Sequence, residues 1–160
     1  KSLLIAADGE KYCPEGIEEA YVSTSKFIDH AILHNNQDPY TTLLISPNKE
    51  AMKAALAPLK LTLDSEEGQR KIVELVQADL NEYKRGGKYA GQFPERWLPA
   101  TFALLNEPFT EQNHLINSTM KVVRGKVEEY FADRIEYVYT PEGKKIDNPK
   151  NLESIAKIAK

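Results

Sequence analysis

Two stretches, IDHAILHN (Ile28 to Asn35) and YTTLLISP (Tyr40 to Pro47), do most to limit what this chain can become. Both are rich in β-branched and aliphatic residues, and both read as strands. They are joined by NNQDP, whose residues favour turns through side-chain bonds to their own backbone and through the fixed φ of proline. A sheet is therefore expected, and the segments around it read as helices. Pro14 suits the first turn of one, in which Ile17, Ala20 and Tyr21 share a face and Glu15, Glu18 and Glu19 crowd the favourable end of the dipole. Asn48 can cap NKEAMKAALAPL, which Pro58 ends. From Ser65 onward Ile72, Leu75, Val76, Leu80 and Tyr83 keep helical spacing, with Asp79 as a polar intrusion.

Further along, KRGGKYAGQFPERWLP is an irregular basic and aromatic loop, and ATFALLN is a third strand candidate. RGKVEEYFADRIEYVY is expected as one helix with Val127, Phe131, Ile135 and Val138 turned inward. At the front, Ser2 to Ala7 reads as a strand, Asp8-Gly9 as a turn and the residues through Tyr12 as a short return strand. Strands mixed with helices in this order predict an α+β domain, a small β-sheet packed by helices.

Composition closes off several classes of function. The chain has 160 residues, enough for one domain with a real core. Its net charge of −3 gives no general reason to bind nucleic acid or an anionic membrane. The apolar runs are too short to cross a bilayer, and KSLLIAAD is too short for a secretory segment. Cys13 is the single cysteine, so no internal disulfide forms, and a reducing, cytoplasmic setting is expected.

The residues that could carry chemistry divide unevenly. His30 and His34 on one strand would face the same side but lie too far apart to chelate an ion, and His114 stands alone; no metal site is expected. KRGGKY lacks the glycine spacing that aims successive amides at a phosphate. Arg85 and Lys88 near Tyr89, Phe93 and Trp97 could suit single strands, but no second basic patch supports them, and no nucleic-acid partner is expected. The terminal NLESIAKIAK is amphipathic but too short and too poor in bulky apolar groups to hold a membrane strongly.

Two separated segments are more specific. In KSLLIAADGEKYCPEGIEEAYVSTSKFIDHAIL, Gly9-Glu10, Pro14-Glu15-Gly16-Ile17-Glu18 and Ile28-Asp29-His30-Ala31 resemble, in order and spacing, the opening of the small C-terminal domain of AMP-forming acyl-CoA synthetases. NEPFTEQNHLINSTMKVVRGKVEEYF resembles the closing motif of the long-chain branch, with Asn117 where threonine is usual. The resemblance covers residues 1–140, with 58–107 enlarged, and leaves 141–160 as a tail able to form a short helix. It implies the mobile lid domain of an adenylate-forming long-chain fatty acid–CoA ligase. Such an enzyme joins a fatty acid to ATP as acyl-AMP and then forms acyl-CoA.

The resemblance also implies roles. Lys121, in KVVR, matches the catalytic lysine; Lys126, in RGK, mimics it only in part. The loop Ala7 to Lys11, with Gly9 and Glu10, matches the segment that shapes the coenzyme A tunnel, although a plain turn glycine is an equally good reading of the residues. Lys1 falls at the hinge. Arg124 supports the lysine loop, touches phosphate, or is an ordinary surface arginine. ATP, coenzyme A and Mg²⁺ are implied for the full-length enzyme and no bound cofactor for the isolated domain. The implied partners are a large N-terminal adenylation domain, absent here, and the fatty acid; peripheral membrane association of the parent is compatible with this. No S-G-T-T-G-x-P-K-G phosphate loop occurs, so the isolated chain is not expected to turn over. The rival expectation is a stand-alone, non-catalytic α+β binding module derived from the same fold.

Overall fold

The computed structural model describes residues 2–160. The chain begins with a small antiparallel hairpin, β1 (Leu4–Ile5) and β2 (Lys11–Tyr12), followed by helix α1 (Glu15–Thr24). Strands β3 (Ile28–His34) and β4 (Thr42–Pro47) pair antiparallel, as the short linker dictates. Helices α2 (Lys49–Leu56) and α3 (Glu66–Asn81) and an irregular segment then carry the chain across to β5 (Thr101–Leu104), which lies parallel to β4. The main sheet therefore runs β3-β4-β5 with β4 in the middle. Four helices follow: α4 (Arg124–Tyr130), α5 (Ala132–Val138), α6 (Pro141–Lys144) and α7 (Pro149–Ile158).

Local signals account for the helix starts. The Asn48 side chain accepts from Ala51 N, and Ser65 Oγ accepts from Gly68 N at 3.1 Å. Thr140 and Asn148 cap α6 and α7, each ahead of a proline. Pro58 sits in a 3₁₀ turn that ends α2, and Lys60 beyond it is left-handed at φ 58°.

The sheet is buried on both faces. Leu43, Ile45, Phe102 and Leu104 join a core with α1, α2, α3 and α7. Leu44, Ala103 and Ile32 point the other way, into a second core with Val127, Phe131 and Val138. Alternate side chains of a strand face opposite sides, so the unbroken apolar run of β4 is what a two-sided sheet requires.

On both outer edges of this sheet, side chains meet backbone groups that no neighbouring strand pairs. Along β3, Leu33 N donates to Glu18 Oε2 at 2.5 Å and Leu33 O accepts from Arg124 Nη1 at 2.9 Å. Along β5, Leu104 N donates to Asn151 Oδ1 at 2.8 Å, Asn151 Nδ2 donates to Phe102 O at 3.1 Å, and Arg134 Nη1 donates to Leu104 O at 2.9 Å. Unpaired edge amides and carbonyls are costly when buried and invite other strands when exposed. Glu18 with Arg124, and Asn151 with Arg134, stand in for the missing neighbours.

One expectation changes. The single helix over RGKVEEYFADRIEYVY breaks at Phe131, whose φ of −109° and ψ of 27° leave the helical region. The bend keeps Val127, Phe131, Ile135 and Val138 all inward while letting Arg134 reach β5. The tail, expected to be able to form a short helix, forms α6 and α7 and packs on the domain: Asn151 is fully buried, and Ile155 belongs to the first core.

Candidate functional site

Lys121 stands on a tight hairpin whose two arms are rooted in the second core. Ile116 and Val122 pair across it, and Val123 N donates to Leu115 O at 2.8 Å. Asn117 N donates to Lys121 O at 2.9 Å, closing the turn. The Asn117 side chain then gathers the interior: its Oδ1 accepts from Thr119 N at 3.0 Å, Thr119 Oγ1 at 2.7 Å and Lys121 N at 3.0 Å. Met120, at the tip, is left-handed at φ 65°. The Lys121 side chain is exposed and forms no salt bridge among the described residues.

The hairpin forms one wall of an open cleft of about 850 Å³. Lys121, Val122 and Arg124 face Glu15 and Glu19 of α1 and His30 of β3 across it. His30 stacks on Phe109 with ring centroids 5.6 Å apart. Burial pushes its pKa below the ordinary imidazole value, against the opposing pull of Asp29, so it is mostly neutral at pH 7. Lys126 is also exposed but lies on α4 itself.

Arg124 is no ordinary surface arginine. Its Nη2 bonds Glu18 Oε1 at 2.7 Å while Nη1 reaches Leu33 O, so one guanidinium ties α4, α1 and β3 together. Burial pushes the Glu18 carboxyl pKa up, and the bond and charge of Arg124 pull it back down only in part. The planar fork of the guanidinium meets the two acceptors with two different nitrogens, a geometry that the single nitrogen of a lysine does not reproduce. The acids of the α1 start read in sequence as a dipole complement, and nothing local reveals that Glu18 turns inward to a partner 106 residues away.

The Gly9 turn lies elsewhere in the molecule and contributes nothing to the lining of the cleft. Ala6 N donates to Glu10 O at 2.8 Å, and Asp8 Oδ1 accepts from Glu10 N at 3.0 Å. Gly9 is at φ 91°, yet a Cβ there would meet no atom within 4 Å. Within this chain, backbone conformation and not crowding demands the glycine. Glu10 is engaged by Arg96 through two bonds of 2.8 Å, and the first of these effects, the arginine hydrogen bond, holds its carboxyl below the usual range. Arg96 in turn lies 5.7 Å over Trp97, which stacks on Tyr12 at 5.4 Å. Trp97 and Phe93 thus pack against this chain's own first core. Lys1 lies outside the described residues.

Among the described residues no three His, Cys, Asp or Glu side chains gather as a metal site, and no helix is long and apolar enough to cross a membrane. His34 is held by Glu128 at 2.7 Å and by Asp38 at 3.4 Å, a local cluster away from His30.

No family model matches the chain. It is 28% identical over 141 residues to the Arabidopsis thaliana "Probable acyl-activating enzyme 16, chloroplastic", covering 87% of this chain and 18% of that protein. It is 27% identical over 144 residues to "Long chain acyl-CoA synthetase 7, peroxisomal" of the same plant, covering 87% of this chain and 20% of the relative. The chain therefore spans about a fifth of the length of these relatives. Among solved structures it resembles the adenylation domain of a carboxylate reductase from Mycobacterium chelonae, with TM-score 0.68 and 23% identity over 86% of this chain and 19% of that one. A carboxylic acid reductase didomain from Segniliparus rugosus, in complex with AMP, matches with TM-score 0.62 and 20% identity over 89% of this chain and 18% of that one. Helices around two- and three-stranded sheets form an α+β arrangement that the chain shares with these adenylation domains. By sequence the chain is similar to a fifth of long-chain acyl-CoA synthetases, and its fold is similar to part of the adenylation domains of carboxylic acid reductases.

Proposed function

We propose that this chain is the C-terminal lid domain of a longer polypeptide that activates a long-chain fatty acid with ATP and transfers the acyl group to coenzyme A, with Lys121 as the residue it contributes to acyl-adenylate formation. The observation that carries the reading is an exposed lysine without a counterion among the described residues, on an ordered hairpin, in a chain similar to one fifth of such enzymes.

The first half-reaction brings a carboxylate to the α-phosphate of ATP and releases pyrophosphate. Both reactants are anions, so they repel as they approach, and negative charge grows at phosphorus. An ammonium placed between them offsets both effects with a compact charge. A lysine already paired with a carboxylate of its own domain would have to break that pair first; Lys121 has none to break among the described residues. Removing one preorganised donor of this kind typically costs about 10²–10³ in rate.

The Gly9 turn, in this reading, takes the place of Lys121 for the second half-reaction and meets the pantetheine arm, with Lys1 at the hinge. The left-handed φ at Gly9 leaves a flat, open stretch of backbone against which a ligand can lie. Glu10 reaches it only by releasing Arg96. Mg²⁺ and the adenine, phosphate and acyl pockets belong to the larger domain; no step is assigned here to a metal held by this chain. Alone, the chain lacks the surface that orients substrates and is expected not to turn over. A test is acyl-CoA synthesis by the full-length polypeptide with ATP and a panel of fatty acids. ATP-dependent thioester formation with long chains supports the reading; its absence with every chain length removes it.

A further inference from the structure

We propose that Asn117 and Arg124 are positioning residues that hold the Lys121 hairpin as a rigid arm, so that the backbone bearing the Lys121 side chain is set before substrate arrives. The function served by the arm rests on the reading of Lys121 above; the rigidity does not.

A short turn of exposed residues ordinarily moves on the ns–μs scale. This one is held at both ends and in its middle. Leu115 and Ile116 are buried at the root of one arm, and Val122 packs against the same core from the other. Immediately after the second arm, Arg124 bonds Leu33 O and Glu18, fastening the hairpin to the edge of β3. Inside the turn, one side-chain oxygen of Asn117 accepts from both Thr119 groups and from the amide of Lys121 itself. Met120 takes a left-handed conformation that a residue with a Cβ adopts only when its surroundings over-determine it. None of these contacts involves the Lys121 ammonium. They spend the turn's ordering on its backbone and leave the ammonium to the substrate, so a rotation of the whole domain delivers a side chain rooted on a preset backbone and no loop must fold at the moment of reaction.

The test measures ¹⁵N relaxation on the 160-residue chain. Order parameters at Thr119, Met120 and Lys121 near the rigid-backbone value of about 0.85 are expected, falling below about 0.6 in Asn117→Ala. Asn117→Asp, which keeps an acceptor at the same place, is expected to restore them. Arg124→Ala, which removes the bonds to Leu33 O and Glu18 together, is expected to loosen Lys121 and Val123. In the full-length polypeptide Asn117→Ala is expected to lower kcat for adenylate formation roughly 10- to 100-fold with KM unchanged, restored by Asn117→Asp. It should spare thioester formation from supplied acyl-adenylate. A mobile native hairpin, a turn that stays ordered in Asn117→Ala, or undiminished kcat despite a loosened turn each overturns the proposal. If the relaxation results hold but Lys121→Ala leaves adenylate formation intact, the role of Lys121 falls and the rigid arm stands.

Discussion

Replacing Arg124 with alanine removes both the counterion of Glu18 and the donor to Leu33 O. Glu18 is only 7% exposed, so its carboxylate would remain in a poorly hydrated site with Leu33 N as its one remaining partner. Breaking a buried pair from one side typically costs about 3–5 kcal/mol, because an uncompensated charge stays behind. A domain of this size is stable by only about 5–15 kcal/mol, and each kcal/mol moves its midpoint by about 2–4 °C, so a drop of roughly 6–20 °C follows. The loss should also depend on pH in a defined direction. The Glu18 pKa is already raised in the folded protein, and losing Arg124 raises it further. A group whose folded pKa exceeds its unfolded value favours folding below the unfolded pKa and loses that contribution as pH rises through the folded pKa. The deficit of Arg124→Ala relative to wild type should therefore shrink as pH falls toward the ordinary carboxylate range, where a neutral Glu18 is tolerated. Urea unfolding followed by circular dichroism at pH 7.5 and pH 5 measures both quantities. A loss under about 1 kcal/mol at pH 7.5, or one equal at the two pH values, would refute the assignment of a buried pair.

Other expectations follow from the same geometry. Asn151→Ala orphans Leu104 N and Phe102 O in a fully buried site and should cost on the order of 3 kcal/mol, at about 1–3 kcal/mol per orphaned group, in the same unfolding assay. His30 has a depressed folded pKa, so its contribution is present above the unfolded pKa and is lost as pH falls; the stability advantage of wild type over His30→Gln should narrow between pH 7.5 and pH 5 in thermal melts. Gly9→Ala should destabilise by about 1 kcal/mol although no atom would touch the new methyl, because the cost lies in φ. Lys121→Ala should change the unfolding midpoint by less than about 0.5 kcal/mol, since the side chain is exposed and unpaired among the described residues.

The elements were legible where periodicity and punctuation agree. Asn48 caps the helix it is expected to cap, and Ile17, Tyr21, Ile72, Val76 and Leu80 are buried as their spacing requires. The helix over residues 124–139 was read too long, because periodicity reports which side chains face inward and is blind to a bend that preserves them. The parallel pairing of β5 with β4 needs partners 59 residues apart (Thr42 with Thr101), beyond any local signal, and the second core likewise gathers residues from Ile32 to Val138. The same holds for the edge-closing residues. Glu18, Arg124, Asn151 and Arg134 look like surface polars in sequence, and only their partners across the fold give them a purpose. At the site, the motif around Lys121 was readable as a resemblance, while the Asn117 side-chain contacts that shape its turn, and the engagement of Glu10 by Arg96, depend on three-dimensional neighbours.

The central claim is that this domain supplies one cation to adenylate formation and a different surface to thioester formation. It is tested most directly by comparing the two half-reactions in full-length Lys121→Ala. ATP–pyrophosphate exchange dependent on fatty acid should fall about 10²–10³-fold, while conversion of supplied acyl-adenylate to acyl-CoA should persist. Unchanged exchange, or an equal loss in both half-reactions, would contradict the account.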